Sequence, residues 1–102
     1  MSEREPGHYA VIPTRILFDK ELTDKAKLLY GLISSLANKK GYCWAENKYF
    51  EEQYGVSEAT IRQSITLLCD KQYLRREIIY HDDTKNIKER RLYINDCPKN
   101  TE

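Results

Sequence analysis

The stretch YGVSEATIRQSI, residues 54–65, decides how the chain folds. A glycine, a valine and a serine interrupt two runs of helical pattern. Gly55 tolerates the positive φ that a tight corner asks for. Val56 plugs the angle, and Ser57 is a good N-cap, because its hydroxyl accepts from a free backbone N–H of the incoming helix. On that helix Ile61, Ile65 and Leu68 fall on one stripe, with Leu67 beside them. Ala59, Arg62, Gln63 and Thr66 stand at i, i+3, i+4 and i+7 and share the outer face. This face offers a guanidinium, an amide, a hydroxyl and a methyl, the groups that meet base edges in a DNA groove. Apart from Glu58 it lacks the glutamates and lysines that merely solvate a helix.

Upstream, Pro13 forces its predecessor out of the helical region, and Thr14 caps a short turn through Phe18. Thr23 then caps the first long helix, with Asp24 in its first turn where the dipole favours an acid. Leu22, Ala26, Leu29, Ile33, Leu36 and Ala37 recur at three- and four-residue steps. Asn38, two lysines and Gly41 end the helix. Residues 42–45, YCWA, read as a small strand. Asn47 is the next N-cap candidate, followed by a two-turn helix with Tyr49, Phe50 and Tyr54 inward.

Downstream of residue 73 the texture changes to YLRREIIY, then HDDTKN, then IKERRLYI. Two β-forming runs separated by turn chemistry predict an antiparallel hairpin, with Leu92 and Ile94 on one face. The fold class is therefore mainly α with a small β-hairpin: a winged helix-turn-helix of three helices plus an antiparallel wing. The three-residue corner at Gly55-Val56-Ser57 has that motif's spacing. Residues 1–8 and 96–102 read as polar tails and 9–95 as the domain.

Composition excludes several classes. The 102 residues suit one domain, and no apolar run is long enough to span a membrane. The N-terminus has no secretory pattern. Cys43, Cys69 and Cys97 are odd in number and far apart, which fits reduced thiols of a cytosolic protein rather than disulfides or a zinc site. His81 with Asp82 and Asp83 reads as a turn, not a metal site. Trp44 and the eight tyrosines are scattered over helices and strands, so they read as core and rim rather than as a base-stacking platform. No Gly-rich phosphate loop, activated nucleophile or carboxylate pair is present, so the chain reads as a non-enzyme needing no cofactor. Net charge is +1, yet residues 71–91 hold seven basic and four acidic side chains, while the first 24 hold three and five. The basic excess sits toward the wing.

From Ala26 to Leu68 the chain resembles the winged helix-turn-helix domain at the N-terminus of phage and plasmid replication initiators and replisome organisers. The resemblance rests on residues 22–30, on Gly41-Tyr42-Cys43-Trp44, on the GVS-initiated helix of residues 55–68, and on the Arg90–Ile94 strand. It covers roughly residues 9–95. Three departures stand out. Glu51 occupies the position four before the turn glycine, where a small residue is common and where an inward carboxylate needs a partner. Gln72 stands where a glycine commonly ends the recognition helix. Family initiators usually continue into a second domain, so either an excised domain or a short phage-type protein fits.

The expected interface is then double-stranded DNA, with the third helix in the major groove. Arg62 and Gln63 are the expected readers, Arg for guanine and Gln for adenine. Glu58, Ala59 and Thr66 line the same face. Ser57, Asn47 and Lys48 are expected to hold phosphates through amide N–H groups and charge, and Lys85, Lys88 and Arg90 to do so from the wing. The resemblance implies origin binding, with replication proteins or self-association as further partners. Transcriptional control needs the same physics, and a protein-interaction module is the rival class.

Overall fold

The computed structural model describes residues 9–38, 40–82 and 85–95. The expected tails, His8, Lys39, Asp83 and Cys97 lie outside the described residues. The order is α1 (Thr14–Leu17), α2 (Asp24–Leu36), α3 (Asn47–Tyr54), α4 (Glu58–Asp70), β1 (Leu74–Tyr80) and β2 (Ile87–Ile94). Among the described residues the fold is mainly helical, with four helices and a two-stranded antiparallel hairpin, which is consistent with a winged helix-turn-helix. The helix beyond the three expected is α1, a single turn whose N-cap position is Pro13 rather than Thr14.

Local chemistry sets the long helices. Thr23 Oγ1 accepts from Ala26 N at 3.1 Å and starts α2. Its apolar stripe, Ala26, Leu29, Tyr30, Ile33 and Leu36, is buried. Gly31 lies under the N-terminal arm: a Cβ there would stand 3.1 Å from Ile12 and 3.3 Å from Ala10. Beyond α2 the chain turns at Gly41, whose φ is +83°.

Helix α4 is the central element and packs against α2, α3 and β1. Ile61, Ile65 and Leu68 enter a core shared with Ile16, Phe50, Cys43, Leu74 and Leu92. Tyr49, Tyr54, Val56 and Leu67 are half-buried at its edge. Glu51 is half-buried rather than fully inward.

The expected strand at 42–45 reduces to one residue. Cys43 and Leu92 exchange backbone hydrogen bonds of 2.8 Å, an isolated bridge that ties the α2–α3 connection to β2. In the hairpin Leu74 faces Ile94, Arg76 faces Leu92 and Ile78 faces Arg90, with an irregularity between Ile79 and Tyr80. Leu74 and Leu92 are buried, Ile94 packs on the core edge, and Ile78 is half-buried further along the wing.

The departure at Gln72 has a structural counterpart. Gln72 is the one non-glycine with positive φ (67°) among the described residues. The chain keeps the left-handed turn a glycine would favour and braces it: Asn95 Nδ2 donates to the Gln72 carbonyl at 3.0 Å.

Candidate nucleic-acid interface

The corner that presents α4 is built from three residues. Gly55 has φ +78° and ψ 25°, and its N–H donates to Glu51 O at 2.9 Å. Ser57 Oγ accepts from Thr60 N at 3.2 Å and donates to Thr60 Oγ1 at 3.1 Å. Its hydroxyl is therefore occupied in capping. What this helix end still offers an anion is the remaining first-turn N–H groups, which lack intrahelical acceptors.

The outer face matches the pattern in the sequence. Ala59, Arg62 and Gln63 are exposed, Thr66 is half-buried, and Ile61, Ser64, Ile65 and Leu68 face in. Arg62, Gln63, Thr66, Leu67 and Asp70 line a shallow hollow of about 330 Å³. A second, of about 250 Å³, brings Gln63 and Thr60 beside Thr23 and Lys25. Thr23 and Lys25 were not among the candidate site residues. Thr23 was legible as a cap, but only the packing of α2 on α4 sets it next to the outer face of α4.

Asn47 departs from its expected role. The N-cap position of α3 is Glu46, which makes no side-chain cap bond, and Asn47 is the first helical residue. Its amide bridges two elements instead. Nδ2 donates to Glu58 Oε2 at 3.1 Å, and Oδ1 accepts from Arg90 Nη1 at 2.8 Å. Glu58 also pairs with Arg62 Nη1 one turn along α4. The hydrogen bonds from Asn47 and then Arg62 hold the Glu58 carboxyl below its ordinary pKa, so it is ionised at neutral pH.

Arg90 likewise does not lie on the solvent edge of the wing. Its Nη2 donates to Ala45 O at 2.9 Å, and its Nε is buried with no hydrogen-bond partner among the described residues. Burial pulls the guanidinium pKa down from its usual value. The cause is parity: side chains on a strand alternate with period two, so Arg90 shares the inward face of Leu92. That signal was present in the sequence, where Leu92 and Ile94 already define the inner face.

Lys85 and Lys88 are exposed on the wing, and Lys48 on α3. Lys88 lines a hollow of about 510 Å³ between wing and α3, with Trp44, Asn47, Ile78, Ile87 and Arg90. The rest of the basic excess is largely engaged. Lys71 pairs with Asp19 at 2.9 Å and Glu21 at 2.6 Å, and Arg91 pairs with Glu89. Arg75 stacks over Tyr93 at 4.0 Å and Arg91 over Tyr42 at 4.5 Å, while Lys40 sits 5.2 Å from the Trp44 ring. These aromatic rings hold cations of the chain itself. Burial pushes the thiols of Cys43 and Cys69 up, which keeps them protonated and poor nucleophiles.

No described helix is long and apolar enough to cross a membrane. Residues 20–74, just over half of the chain, match the family model of a helix-turn-helix domain, and the chain belongs to that family. No curated protein and no solved structure matches it.

Proposed function

We propose that this helix-turn-helix protein binds double-stranded DNA, with α4 in the major groove and the wing along the backbone. The observation that carries the reading is the exposed outer face of α4. Arg62 and Gln63 stand outward on a helix whose other side is locked into the core, so a rigid element presents base-reading groups. Gln63 is the adenine reader and Arg62 the guanine reader, with Ala59 and Thr66 suited to thymine methyl contact. Phosphates are held by Lys48, Lys85 and Lys88, with the backbone N–H groups of the N-cap Ser57 and of Glu58 at the start of α4. The biological role that best suits such a module is origin binding in phage or plasmid replication. This finer role rests on the resemblance of residues 22–30, 41–44, 55–68 and 90–94.

Selection from a random duplex pool tests the reading. A defined motif should emerge, and binding should weaken steeply with salt. Replacing Arg62 with Ala should cost about 1–3 kcal/mol of cognate binding and relax choice at one base pair. Absence of an enriched motif, or binding that ignores salt, would turn the assignment toward a protein partner. Placing the selected motif on a replicon and scoring its maintenance separates replication from other DNA-directed roles.

A further inference from the structure

We propose that Asn47 and Arg90 are positioning residues for base selection, fixing Glu58 and through it the guanidinium of Arg62. The inference rests on the DNA-binding reading above and names how its main reader is aimed. Four side chains from three elements form one continuous path: Arg90 on β2, Asn47 at the start of α3, then Glu58 and Arg62 on α4.

The chemistry of the path allows one polarity. A guanidinium only donates and an ionised carboxylate only accepts. Asn47 stands between them, so its oxygen must turn to Arg90 and its nitrogen to Glu58. A flipped amide would oppose donor to donor at 2.8 Å and acceptor to acceptor at 3.1 Å. Arg90 is itself fixed from behind by the Ala45 carbonyl. The direction of the Glu58 carboxylate is thus set from outside its own helix.

That matters for Arg62, which is 60% exposed. An exposed i,i+4 pair alone holds a long side chain weakly. Here one partner is anchored, so the arginine has a defined seat. The seat uses Nη1, which leaves the Nη2 and Nε edge to make the paired donation that guanine O6 and N7 accept. A purely mechanical tie between wing and α3 does not require a desolvated guanidinium, since well-packed apolar residues serve as well. An arginine at 90 does what an apolar side chain cannot: it orients the Asn47 amide.

The experiment compares Asn47→Ala, Asn47→Asp and Arg90→Lys, in the wild-type and Arg62→Ala backgrounds. Three quantities are read: binding to the selected duplex and to its single-base-pair variants, the salt slope, and the NMR order parameter of the Arg62 Nε–H in free protein. Asn47→Ala should lower discrimination roughly tenfold, within the range of a bidentate contact, and only at the base pair that Arg62→Ala relaxes. The salt slope should not move. In the Arg62→Ala background it should change nothing further. Asn47→Asp retains an acceptor for Arg90 but sets a like charge against Glu58, so discrimination should fall at least as far. Arg90→Lys should act in the same direction through loss of the two-point hold. The Arg62 order parameter should drop in each variant. A folded Asn47→Ala or Asn47→Asp protein with unchanged discrimination overturns the proposal. So does an even loss over all base pairs with a slope lowered by about 0.9, which marks a phosphate contact instead. Failure to bind any duplex would instead remove the DNA-binding reading, and the order parameter would still report whether Asn47 seats Arg62.

Discussion

Lys85 and Lys88 give the cleanest measure of wing contact. Both are exposed and neither contributes to the core, so changing both to Ala should leave the hairpin folded. If each neutralises one phosphate, the pair contributes about 1.8 to the slope of log K against log salt, at about 0.9 per contact. Raising salt fourfold, from about 50 to 200 mM, should therefore shrink the affinity advantage of wild type over the double variant about twelvefold. The loss should be equal for cognate and random duplex, because phosphates carry no sequence. Fluorescence anisotropy at four or five salt concentrations measures this directly, with thermal melting to check the fold. Arg90 is left out by design, because it donates to Asn47 and Ala45 rather than facing solvent. An unchanged slope in the folded double variant would mean that the wing does not touch DNA. A further full unit lost on Arg90→Ala, with no loss of stability, would refute its inward anchoring.

Three further outcomes concern stability. Gln72→Gly should stabilise the fold by about 0.5–1 kcal/mol and raise Tm by a few degrees. Relief of a left-handed L-residue, worth about 1–2 kcal/mol, exceeds the added chain entropy of glycine; a lower Tm would contradict the reading of a strained left-handed turn at Gln72. Gly55→Ala should cost about 1 kcal/mol through torsion alone, since a Cβ there meets nothing within 4 Å among the described residues; an unchanged urea midpoint would count against a strained corner. Asp19 accepts from Tyr73 at 2.6 Å, from Lys71 and from Glu21 N, which lowers its pKa from 3.8 to about 2. A depressed carboxyl stabilises the fold above its unfolded pKa, and that contribution is lost as pH falls from about 4 toward 2. Asp19→Asn should flatten the acid limb in that window, and an identical limb in both proteins would refute the link.

The reach of the sequence differed between levels. Periodicity and caps carried α2, α4 and the corner, because Thr23, Gly55 and Ser57 act on their immediate neighbours and a helix stripe repeats within one turn. The hairpin was legible from its β-forming runs, and the outer face of α4 from spacing alone. The strand expected at 42–45 was not borne out beyond Cys43, because the sequence does not say how many residues of that connection find a pairing partner on β2.

The site was less legible where elements meet. That Ala59, Arg62, Gln63 and Thr66 share a face follows from a 3.6-residue turn, so the sequence determined it. That Asn47 bridges Glu58 to Arg90 follows from contacts separated by 11 and 43 residues, and no local pattern encodes such a meeting. The identity of Asn47 pointed to a cap, since Asn commonly satisfies a helix end. In the folded chain two charged partners reach the same amide, and that charge-assisted pairing prevails over local capping. Arg90 shows the boundary most sharply. Its inward side was readable from strand parity, but whether an inward arginine could be tolerated depended on the carbonyl of Ala45 and the oxygen of Asn47, acceptors that only tertiary packing brings within reach.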